Sequence, residues 1–342
     1  MTAIDQKKWV VLSSLILLLI SFLIGLAMGS IPIAFGDTLA ALFGTASSAQ
    51  TDLVIEQIRL PRALLAAMVG ALLGVCGAAT QGLFRNPLAD PSLIGVTAGA
   101  AAGAAATIFF ASSVSVLSGL SGIAIVSIGA FIGGSLSVVL VYMLATTRQG
   151  TSVATMLLAG IAITAIAGGL TSLVEFFASN DMLRRISIWR MGGLDGANYN
   201  RVFIATGVSI FVLALLPRYS TALNALLLGE SEARHLGLNV QSIKLRLIAL
   251  VALGVGSSVA LAGTISFVGL VIPHIMRLLV GPDHRWLLPL SAIGGAVLLL
   301  LSDVVARTVI APVELPVGLV TALLGAPFFI SLLRRRHEFA MQ

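Results

Sequence analysis

Eight stretches of this chain carry no Asp, Glu, Lys or Arg: residues 9–36, 63–84, 91–147, 149–174, 202–217, 247–276, 286–302 and 315–333. Crossing the hydrocarbon core of a bilayer takes about 20 apolar residues or slightly fewer, and nearly every window is long enough. Backbone in lipid must satisfy its own hydrogen bonds, which leaves helices or closed barrels. The long apolar runs lack the alternation of barrel strands. Window 91–147 holds two spans, because the polar, Gly-rich stretch from Ala111 to Gly122 offers a turn in its middle. Window 247–276 divides near Gly263 to Ser266 into one full span and part of a shorter one. The pattern therefore predicts an all-α membrane protein, a single domain over residues 1–342 with ten transmembrane helices in one bundle. They fall near 9–30, 61–83, 92–110, 119–146, 152–176, 200–217, 241–262, 267–280, 285–306 and 315–333. A soluble fold is excluded by composition: 10% of the residues are charged, against about 25% in soluble domains.

With ten spans both termini share one side. That side carries Lys7, Lys8, Arg85, Arg148, Arg218, Arg234, Lys244, Arg246, Arg277, Arg285 and Arg334 to Arg336, which is 13 of the 20 basic residues. Cytoplasmic loops are the ones enriched in Lys and Arg, so both termini are predicted to be cytoplasmic. The net charge of +6 is a topology signal and gives no nucleic-acid footprint. The run Trp9 to Met28 follows Lys7 and Lys8 but exceeds the roughly 7–15 apolar residues of a signal-peptide core; it reads as an uncleaved first span. Cys76 is the single cysteine, so no disulfide framework exists.

Small residues recur at four-residue spacing: Gly25 and Gly29, Gly70 and Gly74, Gly95, Gly99 and Gly103, Gly129 and Gly133. Such spacing lets helix backbones approach closely in lipid. Two connections are long without being simply polar. The outer segment, about 178–200, contains Arg184, Arg185, Trp189 and Arg190 and predicts a short interfacial helix. The inner segment, about 218–240, places Leu223, Leu226 and Leu227 on one helix face, then Gly229, then Glu230 and Glu232. This predicts a short helix pair. A helix lying on lipid favours Lys and Arg on its polar face, so two glutamates favour docking to a partner protein.

Several kinds of chemistry are missing. The only lysines are Lys7, Lys8 and Lys244, and none ends a Gly-rich phosphate-binding loop, so the chain is not expected to hydrolyse ATP. Ion-coupled carriers place carboxylates or histidines near mid-membrane, yet Glu175, Asp303, Glu314 and Asp90 lie near predicted span ends. His274 is the one histidine inside a predicted span; a proton relay is one reading of it, and a residue capping a Pro-broken helix near the cytoplasm is the favoured one. No metal-ligand spacing and no nucleophile with its base is found.

Four segments carry a resemblance: "IRLPRALLAAMVGALLGVCGAATQGLFRNPLADPSLIGV", "LLLGESEARHLGLNV", "GTISFVGLVIPHIMRLLVGPDHRWLLP" and "VGLVTALLGAPFF". In this order they resemble the permease family of ABC importers for iron-siderophores, haem and cobalamin, over nearly the whole chain. The resemblance implies a bacterial inner-membrane permease, paired with a second copy of itself, two cytoplasmic ATPase subunits and an external substrate-binding protein. It implies that ATP is used by the partner subunits and that this chain binds no cofactor. Carried onto this sequence, it implies docking of the binding protein's glutamates at Arg59, Arg62 and Arg307. ATPase coupling is implied at Leu223, Leu226, Glu230, Glu232, Arg234, His235, Leu236 and Gly237, and an inner gate at Gln149, Gly150, Thr151 and Ser152. Segments Ser179 to Ala197 and Ala306 to Phe329 are most similar to haem-importing members, with Arg184, Arg185 and Arg190 at the substrate entrance. A ferric siderophore or cobalamin importer is the alternative, and an ion-coupled secondary transporter a further one.

Overall fold

The computed structural model describes residues 3–31, 33–45, 48–110, 122–148 and 150–340. In chain order the helices are α1 (Ala3–Ala27), α2 (Phe35–Leu42), α3 (Ala49–Leu53), α4 (Leu60–Leu83), α5 (Val96–Phe110), α6 (Gly122–Ala145), α7 (Val153–Phe177) and α8 (Asn180–Met191). They continue as α9 (Tyr199–Leu215), α10 (Ser220–Leu228), α11 (Glu230–His235), α12 (Val240–Ala262), α13 (Val268–Val280), α14 (His284–Thr308) and α15 (Val317–Ala340). A hairpin of two short strands, β1 (Thr146–Thr147) and β2 (Gly150–Thr151), joins α6 to α7.

Among the described residues, seven helical stretches are long and apolar enough to cross a bilayer, and α5, α13 and the apolar part of α15 are shorter. Together they make the ten expected segments. The break foreseen near Gly263 to Ser266 is present: α12 ends at Ala262 and α13 starts at Val268, with Gly263 at φ 68° and Phe267 at φ 67°. The Phe267 ring lies where a side chain at Gly325 would sit, so α15 closes over this bend. The second span departs from expectation. A π-helical turn, Val54–Arg59, fuses α3 to α4 into one helix from Ala49 to Leu83. The turn expected at Ala111 to Gly122 lies, except for its last residue, outside the described residues.

In lipid the hydrophobic effect does not drive helices together, so backbone approach and van der Waals contact must do so. On α4, a Cβ at Gly70 would collide with the Gly295 carbonyl of α14, and one at Gly74 with the Ser291 carbonyl. Gly99 and Gly103 of α5 meet Gly129 and Gly133 of α6 in the same way. Gly95 is different: its φ of 79° marks a turn. Helices α4, α12 and α14 are buried along most of their length, whereas α7 touches the bundle along one stripe, Met156, Ala159, Gly160, Ile163, Ala167 and Thr171. The bundle has a near end, where α1 begins, and a far end, where α1 stops.

Candidate functional site

At the far end α1 stops at Ala27, leaving carbonyls without helical partners. Arg59 fills that need: its guanidinium donates to the carbonyls of Leu26 at 2.7 Å and Ala27 at 2.6 Å, and to that of Ile31. Arg307 donates to Gly25 O at 2.9 Å and pairs with Asp303 at 3.0 Å. Arg62 bridges Asp303 at 2.9 Å and Glu314 at 2.6 Å. Positive charge at a helix C-terminus is favourable, and buried charges need pairing. The three arginines expected to receive the binding protein's glutamates are engaged within the chain, at 4%, 7% and 4% exposure. The cluster still holds three cations against two carboxylates, and Glu314 is the partly exposed member.

Around the same end, Arg184 and Arg185 on α8 are exposed, while Arg190 pairs with Glu175 at 3.0 Å. Arg185 and Trp189 line a cavity of about 230 Å³ with Asp195 and Arg201. Ser179 caps α8 by accepting from the Met182 N–H, which starts the expected interfacial helix.

The near end carries the more connected arrangement. Pro217 ends α9 in a 3-10 turn that leads into α10. Helix α10 buries Leu223 and Leu226, whereas Leu227 is 40% and Leu228 69% exposed. Leu223 faces Gly82 of α4, so it and Leu226 fasten α10 to this chain and leave the outward contact to other residues. The expected face of Leu223, Leu226 and Leu227 is corrected accordingly: Leu223 and Leu226 form the buried face, and Leu227 stands at its edge, 40% exposed. Asn224 makes the polar fastening. Its amide donates to Asp283 at 2.6 Å, and its carbonyl oxygen accepts the His284 N–H at 2.9 Å. Burial pushes the Asp283 carboxyl up, but the Arg285 N–H, the Asn224 amide and the charges of Arg285 and Lys7 outweigh it and hold the group below the usual carboxylate range.

Gly229, at φ 129°, breaks the chain between α10 and α11, a backbone conformation that favours glycine. Along α11 and the turn that follows it, Glu232, Arg234, His235, Leu236 and Gly237 are exposed. Glu230 turns inward and lies 2.5 Å from Lys244 Nζ on α12. Lys244 is 2% exposed and also donates to the Thr151 carbonyl at 2.7 Å. Gln241, one turn earlier, accepts the Thr151 N–H at 2.9 Å and donates to Thr151 Oγ1 at 2.5 Å. The expected coupling segment and the expected gate turn thus meet on α12. Of the gate residues, Gly150 and Thr151 lie in the hairpin, and Ser152 caps α7 by accepting from the Thr155 N–H. Gln149 is outside the described residues. A cavity of about 620 Å³ lies between the hairpin and the α11–α12 turn, lined by Thr147, Gly150, Arg234 and Leu238 among others. Lys244, Gln241 and Asn224 were missed from sequence. Lys244 was the one lysine far from the N-terminus, and that isolation was the available signal.

Comparison with known proteins follows the same lines. The model of the FecCD transport family matches residues 17–335. The hemin transport system permease protein HmuU of Yersinia pestis is 41% identical over 330 residues, 96% of either chain. The cobalamin import system permease protein BtuC of Halobacterium salinarum is 41% identical over 317 residues, 93% of this chain and 82% of its own. A solved structure described as an inward-facing conformation of a metal-chelate type ABC transporter superposes with a TM-score of 0.83 at 32% identity, covering 96% of this chain and 99% of its own.

Proposed function

The chain belongs to the FecCD transport family, and from that premise we propose that it is the membrane-spanning permease of an ATP-driven importer of a metal chelate, with haem as the substrate. The observation that carries the coupling part is the near-end surface. Leu227 and Leu228 on α10, Glu232 on α11 and Leu236 just after it are all exposed, on a segment whose other faces are fastened to α4, α14 and α12. Exposed leucines interspersed with charge, outside the long apolar spans, suit a protein partner, and the partner is an ATPase subunit that hydrolyses ATP on the cytoplasmic side. The termini then lie in the cytoplasm and the chain in the inner membrane of a bacterium. The sparse packing of α7 and its exposed small residues Thr164, Ala165, Gly168 and Ser172 support a second permease copy across the pathway. At the far end the arginine cluster, with its surplus cation, is the dock for an external binding protein whose carboxylates compete with Glu314 for Arg62. Arg184 and Arg185 attract the carboxylates of an anionic chelate.

Haem is favoured because the hemin permease covers as much of its own length as of this chain. Cobalamin import is the second reading, favoured by the identity to the cobalamin permease. The test is co-purification with the cognate ATPase. Replacing Leu227, Leu228 and Leu236 with Ser is expected to release the ATPase while leaving expression and melting of the permease intact. Retention of the ATPase at the wild-type ratio would refute the coupling surface.

A further inference from the structure

We infer that Lys244 is a positioning residue of the transport cycle: it locks α11, the start of α12 and the β1–β2 hairpin into one body, so that movement imposed on α11 is delivered to the hairpin and to α7. The inference rests on the proposed ATPase contact at α11 and adds the route inward from it.

The hairpin and α11 are distant in sequence, and Lys244 joins them across 93 positions to Thr151 on one side and to Glu230 on the other. Its ammonium is buried at 2% exposure, with one acceptor from each element. A buried cation stripped of either acceptor is strongly unfavourable, so the two elements move with it or not at all. Gln241 secures the same residue from a second direction by taking both the backbone N–H and the hydroxyl of Thr151. Thr151 opens directly into Ser152, the cap of α7. Because α7 touches the bundle along a single stripe, its near end is steered by what holds the hairpin. A cavity of about 620 Å³ lies between the hairpin and the α11–α12 turn, and the Lys244 tie joins the two across that gap.

The test uses the complete transporter, permease with ATPase and binding protein, in proteoliposomes. Wild-type uptake is measured first with and without ATP; failure of ATP dependence there refutes the importer reading, independently of Lys244. Lys244→Met is then expected to retain the ATPase and its hydrolysis while substrate accumulated per ATP falls at least tenfold. Lys244→Arg, which keeps two donors and the charge, is expected to restore most of the ratio. Spin labels at Thr147 and Ser231, both exposed, are expected to keep a narrow mutual distance through the ATP cycle in wild type and to broaden in Lys244→Met. A wild-type ratio in Lys244→Met, or hydrolysis and uptake falling in equal proportion with an unchanged distance, overturns the inference. If Lys244→Met does not assemble, Glu230→Ala replaces it: that change removes the α11 acceptor and leaves Lys244 on the Thr151 carbonyl, and an unchanged ratio there overturns the inference equally.

Discussion

Asp303 is the keystone of the far-end cluster, and its replacement by Asn gives a loss of stability that can be worked from the structure. Its carboxylate is 1% exposed and receives Arg62 Nε at 2.9 Å and Arg307 Nε at 3.0 Å. Asparagine is nearly isosteric, so no cavity opens; what changes is charge. The cluster goes from three cations against two anions to three against one, all inside the bundle. Breaking a buried pair costs about 3–5 kcal/mol. Arg62 keeps Glu314 and Arg307 keeps the Gly25 carbonyl, so the lower end applies. About 3 kcal/mol, divided by an unfolding entropy of about 2.1 cal/mol/K per residue over 342 residues, lowers the melting temperature by about 4 °C. The assay is thermal melting of the purified chain in one detergent. A second variant, Asp303→Asn with Arg307→Met, removes the unpaired cation and is expected to recover at least half of the loss, a non-additivity proper to groups in contact. Melting of Asp303→Asn within 1 °C of wild type would refute the reasoning, as would a double variant that loses the sum of the two single effects.

Gly70→Ala forces a methyl group against the Gly295 carbonyl and is expected to cost about 1–3 kcal/mol by overpacking, whereas Gly207→Ala meets nothing within 4 Å and is expected to leave the melting temperature unchanged or slightly raised. The Asp283 carboxyl, held below its ordinary range, favours the folded state above the unfolded pKa of about 4, and that contribution is lost as pH falls through the lower folded value. The melting difference between wild type and Asp283→Asn is therefore expected to be constant from pH 7 to about 5 and to shrink on further acidification; a constant difference down to pH 3 would contradict it. Charge reversal of Arg184 and Arg185 together is expected to slow uptake of an anionic chelate at low salt and to matter less as salt rises, because exposed charges are screened; uptake kinetics at two ionic strengths check it.

The bundle was legible because lipid imposes one strong rule. Charge-free windows had to be helices, and the division near Gly263, the pair of helices split by Gly229 and the helix at α8 all followed from where that rule broke. Helix ends were less legible. The π-turn that continues α4 back to Ala49 joins polar residues into a helix for which hydropathy gives no sign. Side-chain direction was the larger gap. Arg59, Arg62 and Arg307 look alike in sequence, and only the arrival of Leu26, Ala27 and Asp303 beside them shows which groups of this chain each one holds. Leucine spacing located α10, but which leucines face outward depends on Gly82 and His284 meeting the helix from distant parts of the chain. Lys244 could not be paired in advance, since Thr151 and Glu230 reach it only once α7 and α11 are placed.

The central claim is that this chain moves a metal chelate inward only when an ATPase partner drives it. Its most direct measurement is accumulation of haem inside proteoliposomes that contain the permease, the cognate ATPase and the binding protein, with ferric siderophore and cobalamin supplied in parallel. Haem is expected to accumulate with ATP and not without it, and not when the ATPase is omitted. Accumulation by the permease alone under a proton or sodium gradient would contradict the account, whereas ATP-dependent uptake of cobalamin or siderophore with none of haem would contradict the substrate.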